Sequence, residues 1–389
     1  MGAPNRLRAE HFAQLEALDL TWGHLTILVG PQATGKSLVA QLWKWVLDKT
    51  FVYDVLKDYG FILDPHQPDF APTFADAYFG EGLGRAAWRP QTRVWLQHEP
   101  WTPRVRPHHY WSLEQVLYIP AHRALCLLDS RPRPFRDFSA ADPFVLKHFS
   151  EQMRKSLEPA LGQGVKLEAP DASQPAWLTA IWRQLYPDAA GIRLQVRQQW
   201  RIVQHLHGHA APLPLMTWSS GQREFFPLLW AAQTTLMDTA TPQAYSWIVI
   251  EEPEMGLHTA ALRAFLMLVA HWLTRGYRVI LTTHAAQIVE FAWVLRQAQR
   301  VHKATPTAAA VLKRYLDLPE ATWRALLGRE VRVYGFKRQG QKVHLKDISP
   351  LDAWSEDADE ADWGGLTESA TRAHEVVGQL TAWQEAVEP

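Results

Sequence analysis

Apolar and polar positions switch between two periods along this chain. "LTILV" (25–29) is apolar without a solvent-facing alternation, and the following "SLVAQLWKWVLDK" carries apolar residues at helical spacing. The same pairing returns downstream. Trp247 to Ile250 ("WIVI") precedes the helical "TAALRAFLMLVAHWLTRG", and Arg278 to Leu281 precedes a further helix. Strands that are apolar throughout read as buried. One helix separates the last two strands, which makes them neighbours whose C-terminal ends share an edge. The pattern predicts an α/β chain.

Other segments follow the same rules. "VLKHFSEQMRKSLEPAL" reads as one amphipathic helix, and "REFFPLLWAAQTTLM" as a helix with Pro227 in its first turns, where proline is tolerated. "EVRVYGFKRQGQKVHLKDI" reads as a hairpin turning at "RQGQ", after a helical stretch around 306–327. "DPHQPDFAPTF" and "RPRPFRDFSAADPF" are proline-rich loops. Residues 51–190 show no sustained heptad, so a long coiled-coil arm is not expected.

Composition narrows the class. With 47% hydrophobic and 21% charged residues, the 389-residue chain is globular. Forty basic residues balance forty acidic ones, so no overall field draws it to nucleic acid or membrane. Cys126 alone excludes an intrachain disulfide framework and fits a reducing compartment. No apolar run reaches membrane-spanning length, and "MGAPNRLRAEHF" lacks a signal-peptide core, so a cytoplasmic protein is expected. Most of the nineteen tryptophans should be packing residues, with a partner surface the alternative for some.

The chemistry starts at Gly30-Pro31-Gln32-Ala33-Thr34-Gly35-Lys36-Ser37, a full match to G-x-x-x-x-G-K-[ST] between a strand and a helix. The glycines let backbone N–H groups face phosphate oxygens, and the helix N-terminus adds attraction. Lys36 would reach the β- and γ-phosphates and Ser37 would ligate Mg²⁺. The strand at 247–250 ends in two acids: Glu251 would face the metal and Glu252 would act as general base. A solvated acidic pair is the plainer alternative. Ser219, Ser220, Gly221 and Gln222 open a helix and form a second anion-binding start, or simply a serine cap. His284 follows the 278–281 strand in "TTH".

These elements, in this order, resemble soluble ABC-type ATPases of the RecF, SMC and overcoming-lysogenization-defect (OLD) branch. "GPQATGKS" matches the Walker A loop, "SSGQ" the signature motif, "IVIEEPE" the Walker B strand, "EMGLH" the D-loop region and "TTH" the switch-histidine loop. "VLYIPAHRA" (116–124) is similar to a Tyr-Ile-Pro-x-x-Arg segment of these ATPases. The Q-loop glutamine is open among Gln91, Gln97 and Gln115. The resemblance implies an ABC-type P-loop ATPase core with a mixed or parallel sheet, split over 1–50 and 190–295. A compact inserted lobe would occupy 51–189, and a small C-terminal α+β extension 296–389. It implies ATP and Mg²⁺ as cofactors, with Gly30, Gln32, Thr34, Gly35, Lys36 and Ser37 around the phosphates. It further implies a head-to-tail homodimer in which Ser219–Gln222 of one subunit closes on the γ-phosphate held by the other, and on which higher oligomers could build. His284 would position the attacking water.

No TOPRIM or HNH nuclease pattern follows the core. The expected role is therefore control of a separate effector, a nuclease or toxin, in bacterial anti-phage defence; the alternative is a RecF-like ATPase that binds DNA, and a transporter-type nucleotide-binding subunit is disfavoured by the insert length and the divergent Walker B. Nucleic acid binding at Arg131, Arg133, Phe135 and Arg136 is the less favoured reading of "RPRPFR", a solvated loop the plainer one. His205, His207 and His209 alternate and could share a strand face, though a surface hairpin is favoured over a metal site. "SEDADEADWGGL" reads as a flexible, solvated acidic loop.

Overall fold

The computed structural model describes residues 4–105, 112–158, 166–171, 173–196, 200–237, 245–302, 311–352, 355–367 and 371–379. Strands β1 (Arg6–Phe12) and β2 (Leu15–Thr21) form a hairpin ahead of β3 (Leu25–Val29). Helices α1 (Lys36–Asp58), α2 (Phe70–Phe79) and α3 (Leu83–Ala87) precede β4 (Trp88–Leu96), β5 (Glu99–Trp101) and β6 (Val116–Ile119). Short strands β7 (Leu127–Leu128) and β8 (Arg131–Pro132) lead to α4 (Phe144–Leu157), β9 (Lys166–Glu168), α5 (Ala176–Leu185), β10 (Ala189–Val196), β11 (Trp200–Leu206) and β12 (Leu213–Pro214). Then come α6 (Ser220–Ala232), β13 (Trp247–Glu251), α7 (Thr259–Thr274), β14 (Arg278–Thr283) and α8 (Ala286–His302). A helix at Glu320–Leu327 precedes the hairpin β15 (Val331–Gln339) and β16 (Lys342–Asp347).

Ten of these strands form one sheet in the order β5-β4-β1-β2-β16-β15-β3-β14-β13-β6. From β15 to β6 the pairing is parallel, and every residue of β3, β13 and β6 is buried. This is the consequence of apolar runs without alternation: both faces need cover, and α1 covers one while α7 and α8 cover the other. Successive β13 residues accordingly enter different cores. Ile248 and Ile250 pack with Phe265, Leu268 and Phe291, whereas Trp247 and Val249 pack with Trp43 and Trp45. Trp43 joins Trp247 and Trp22 at ring-centroid distances of 5.0 and 5.2 Å, a packing role for the tryptophans. A second sheet, β12-β11-β10-β9, is antiparallel.

Several expectations change against this frame. The hairpin β15–β16, which the sequence places in a C-terminal extension, lies inside the large sheet between β3 and β2, and β4 to β6 of the 51–189 segment lie in it too. Pro227 is the eighth residue of α6, not part of its first turns. Proline there removes one backbone hydrogen bond, and the helix persists because Phe225, Phe226, Leu228, Leu229 and Trp230 around it are all buried. Of the stretch around 306–327, Glu320–Leu327 is helical, while 303–310 lies outside the described residues. The acidic segment is not a free loop. Asp357 and Asp359 pair with Lys346 and Lys337, Trp363 is buried against Trp293, and Gly364 packs over Val29. Phe135 is likewise a core residue, stacked on Tyr59 at 4.0 Å, so it does not serve as an exposed aromatic of "RPRPFR".

Candidate nucleotide site

The parallel strands deliver the candidate residues to one edge. Register pairs Val29 of β3 with Thr283 of β14, and Glu251 of β13 with Thr282 of β14. The segments that follow these strands therefore emerge side by side: the loop 30–35, Glu252 and His284.

Loop geometry depends on its glycines. Gly30 has φ 141°, and a Cβ there would lie 2.3 Å from the carbonyl oxygen of Phe336 on β15. Gly35, with φ 91°, caps α1. Lys36 is buried, and its Nζ donates to the carbonyls of Gly30 (2.7 Å) and Pro31 (2.9 Å). The same Nζ lies 3.2 Å from His284 Nε2, which is itself 3.5 Å from Glu252 Oε1. Burial lowers the Lys36 ammonium to about 8, against the upward pull of Glu252, Glu254 and Glu251. Thr34 Oγ1 donates to the Pro31 carbonyl at 2.8 Å, bracing the turn, and Gln32 is exposed on it.

The two adjacent acids differ in surroundings. Glu251 is buried; Tyr118 donates its hydroxyl to one carboxylate oxygen, and the Ala121 N–H reaches the other at 3.2 Å. Burial raises its pKa, opposed by the bonds from Tyr118, Ala121 and Ser37. Glu252 takes φ 40°, a left-handed conformation uncommon for residues with a Cβ. Its N–H donates to the Thr282 carbonyl at 2.9 Å, and its side chain stays accessible beside His284. Glu254 holds the histidine loop by accepting from Thr283 Oγ1 (2.8 Å) and the His284 N–H (2.6 Å).

Ser219 is the N-cap of α6 in a capping box: its Oγ accepts from the Gln222 N–H at 3.3 Å, and Gln222 Oε1 accepts from the Ser219 N–H at 3.0 Å. Ser219 and Ser220 are exposed, while Gly221 is buried, its Cβ position only 2.6 Å from the Gly256 carbonyl oxygen. The helix start thus rests on the segment that follows Glu252.

The structure brings Lys36, Ser37, Glu251, Glu252 and His284 together. Ser219 and Gln222 bond instead to each other, to Leu185 and to Tyr186. The three glutamines considered for the Q-loop bond or lie elsewhere. Gln115 Nε2 donates to Leu47, Gln97 Nε2 to Asn5, and Gln91 is exposed on β4. Gln14, in the β1–β2 turn, is the one that reaches the loop, through Ala33 O at 3.4 Å, and Arg338 of β15 donates to the same oxygen at 2.5 Å. Neither carries a local signal, since Gln14 arrives from a turn and Arg338 from a strand far along the chain. His205 lies in β11, whereas Gly208 (φ 73°) turns the chain between His207 and His209; among the described residues no group of three His, Cys, Asp or Glu side chains is arranged to hold a metal.

A family model, "AAA domain, putative AbiEii toxin, Type IV TA system", matches residues 96–290, half of the chain. The chain belongs to this AAA family. The match takes in Tyr118, the Ser219–Gln222 helix start, the two acids and His284, and the glycine loop at 30–35 lies before it. No curated protein matches the AAA chain. Solved structures similar to it include a SmcHead bound to the C-winged helix domain of ScpA, at 10% identity and TM-score 0.43 over 89% of this chain and 97% of that one. An SMC head domain from Thermotoga maritima (13%, TM-score 0.35, 89% and 99%) and an ATP-binding subunit of an ABC transporter (12%, TM-score 0.36, 93% and 99%) are also similar. Among the described residues no helix is long and apolar enough to cross a membrane.

Proposed function

We propose that this AAA-family chain hydrolyses ATP and uses the triphosphate to close a head-to-tail homodimer. The observation that carries the reading is the run Lys36–His284–Glu252, linked at 3.2 and 3.5 Å beside a glycine loop at the end of a parallel sheet. The residues present fit the implied ligands. Gly30 (φ 141°) and Gly35 (φ 91°) hold the loop backbone in conformations that residues with a Cβ rarely adopt, and Ser37 stands beside the buried carboxylate of Glu251. Ser37 and Glu251 would hold Mg²⁺, which when bound would neutralise phosphate charge.

The chain's own groups divide the remaining work. Lys36 presents its ammonium to the phosphates, and loop N–H groups orient them. Glu252 accepts a proton from the attacking water, and His284, fixed through its N–H by Glu254, orients that water. Ser219 and Ser220 stand exposed at a helix N-terminus, suited to the γ-phosphate held by a second copy. Because the triphosphate favours the closed pair, binding closes it and hydrolysis releases it. The name of the matched family refers to a type IV toxin–antitoxin system; in this reading the closed dimer governs a separate effector, a nuclease or toxin, in anti-phage defence.

The test is phosphate release by the purified chain, with nucleotide affinity measured in parallel. Glu252→Gln should retain ATP affinity, lose turnover by about 10²–10⁴-fold and accumulate as an ATP-dependent dimer on sizing. Lys36→Ala with undiminished ATP affinity would refute the phosphate-loop reading. Persistence of the ATP-dependent dimer in Ser220→Arg would refute the closure.

A further inference from the structure

Arg123 is fully buried, yet it lies outside the phosphate loop and bears on none of the candidate catalytic side chains directly. Its guanidinium is spent on backbone carbonyls from three segments. Nη1 donates to Pro120 (3.2 Å) and Glu251 (2.8 Å), Nη2 to Glu252 (3.1 Å), and Nε to Glu224 of α6 (3.0 Å). A planar fork of fixed donors sets the relative positions of everything it bonds, as a flexible ammonium would not. Two further contacts run along the same seam. Gly221 of α6 abuts the Gly256 carbonyl, and the buried Oε2 of Glu224 lies 3.7 Å from Arg123 Nε. That oxygen has no hydrogen-bond partner, and the gap exceeds the usual range of about 2.7–3.2 Å.

We propose that Arg123 is a positioning residue that ties the backbone of Glu251 and Glu252 to the first turns of the helix opened by Ser219, making hydrolysis depend on how that helix is seated. The inference rests on the ATPase reading above. Glu252 needs such support because its left-handed backbone is costly and aims the carboxylate at His284. A carboxylate displaced by about 1 Å forfeits on the order of 10²-fold in rate. The anchor on α6 lets a push on the exposed Ser219–Ser220 turn reach that carboxylate through one side chain.

The experiment measures kcat and KM for ATP, and nucleotide affinity, in Arg123→Lys and Arg123→Met of the full chain beside wild type. Lysine keeps the charge and most of the length but supplies one donor centre. The expected result is a kcat loss of roughly 10-fold in Arg123→Lys and about 10²-fold in Arg123→Met, with KM and affinity changed less than about 3-fold. Wild-type kcat in Arg123→Lys, or KM and kcat failing together, overturns the proposal. Should Arg123→Met not fold, Arg123→Lys decides alone. A wild type that binds but never turns over ATP would refute the ATPase reading instead, so the two failures are distinct.

Discussion

Replacing Gly30 by alanine should be among the most damaging single-methyl changes in this chain. Two costs add. The φ of 141° is a conformation L residues rarely adopt, at about 1–3 kcal/mol. The new Cβ would also lie 2.3 Å from the Phe336 carbonyl oxygen and 3.0 Å from the Phe336 Cβ, and overpacking of that kind costs about 1–3 kcal/mol. The neighbour is backbone hydrogen-bonded within the sheet, so it cannot step aside. The sum, about 2–6 kcal/mol, is a large share of the roughly 5–15 kcal/mol that holds an ordinary domain folded. Gly35→Ala supplies the control. Its φ of 91° carries the conformational cost, but its Cβ would meet Gln14 Nε2 at 2.7 Å, the far end of a flexible side chain. Gly35→Ala should therefore cost about 1–3 kcal/mol, and adding Gln14→Ala should not deepen the loss. Urea denaturation of the three variants, read by tryptophan fluorescence, gives the comparison. Equal losses in Gly30→Ala and Gly35→Ala, or a Gly30→Ala loss under about 1 kcal/mol, would refute the close seating of β15 against the loop.

Other outcomes follow from the same geometry. Lys36 is lowered to about 8 from 10.5, so below pH 8 the folded protein carries the full penalty of a buried ammonium, relieved as pH rises toward 10.5 because the unfolded state then binds more protons. Lys36→Met should gain stability over wild type at pH 7, with the advantage shrinking between pH 8 and 10.5 in paired denaturation curves. Tyr118→Phe removes a bond that favours ionised Glu251, so the carboxyl pKa should climb further. Its apparent Mg²⁺ requirement for ATP turnover should rise about 10-fold or more, the worth of one bond to a charged group; an unchanged Mg²⁺ titration would contradict that partnership.

The sequence by itself determined the local elements and which residues close them. Gly30–Ser37 between an apolar strand and a helix, the acids closing β13 and the histidine following β14 are short-range patterns, because glycine loops and buried strands are written in consecutive residues. Parallel pairing of β13 and β14 followed from the single helix between them. Tertiary structure decided the rest. Nothing near residue 331 announces that β15 will lie beside β3, or that Arg338 will reach Ala33, since those pairings join residues hundreds of positions apart; Gln14 meets the same oxygen because the β1–β2 turn folds back to the loop. The acidic run around Asp357 looks solvated until Lys337 and Lys346 are brought opposite it. Arg123 is legible in the sequence as the arginine of "VLYIPAHRA", but its bonds to carbonyls of three segments exist only once the chain has folded. Periodicity records which face of an element is buried; what it is buried against is set by how all the faces pack at once.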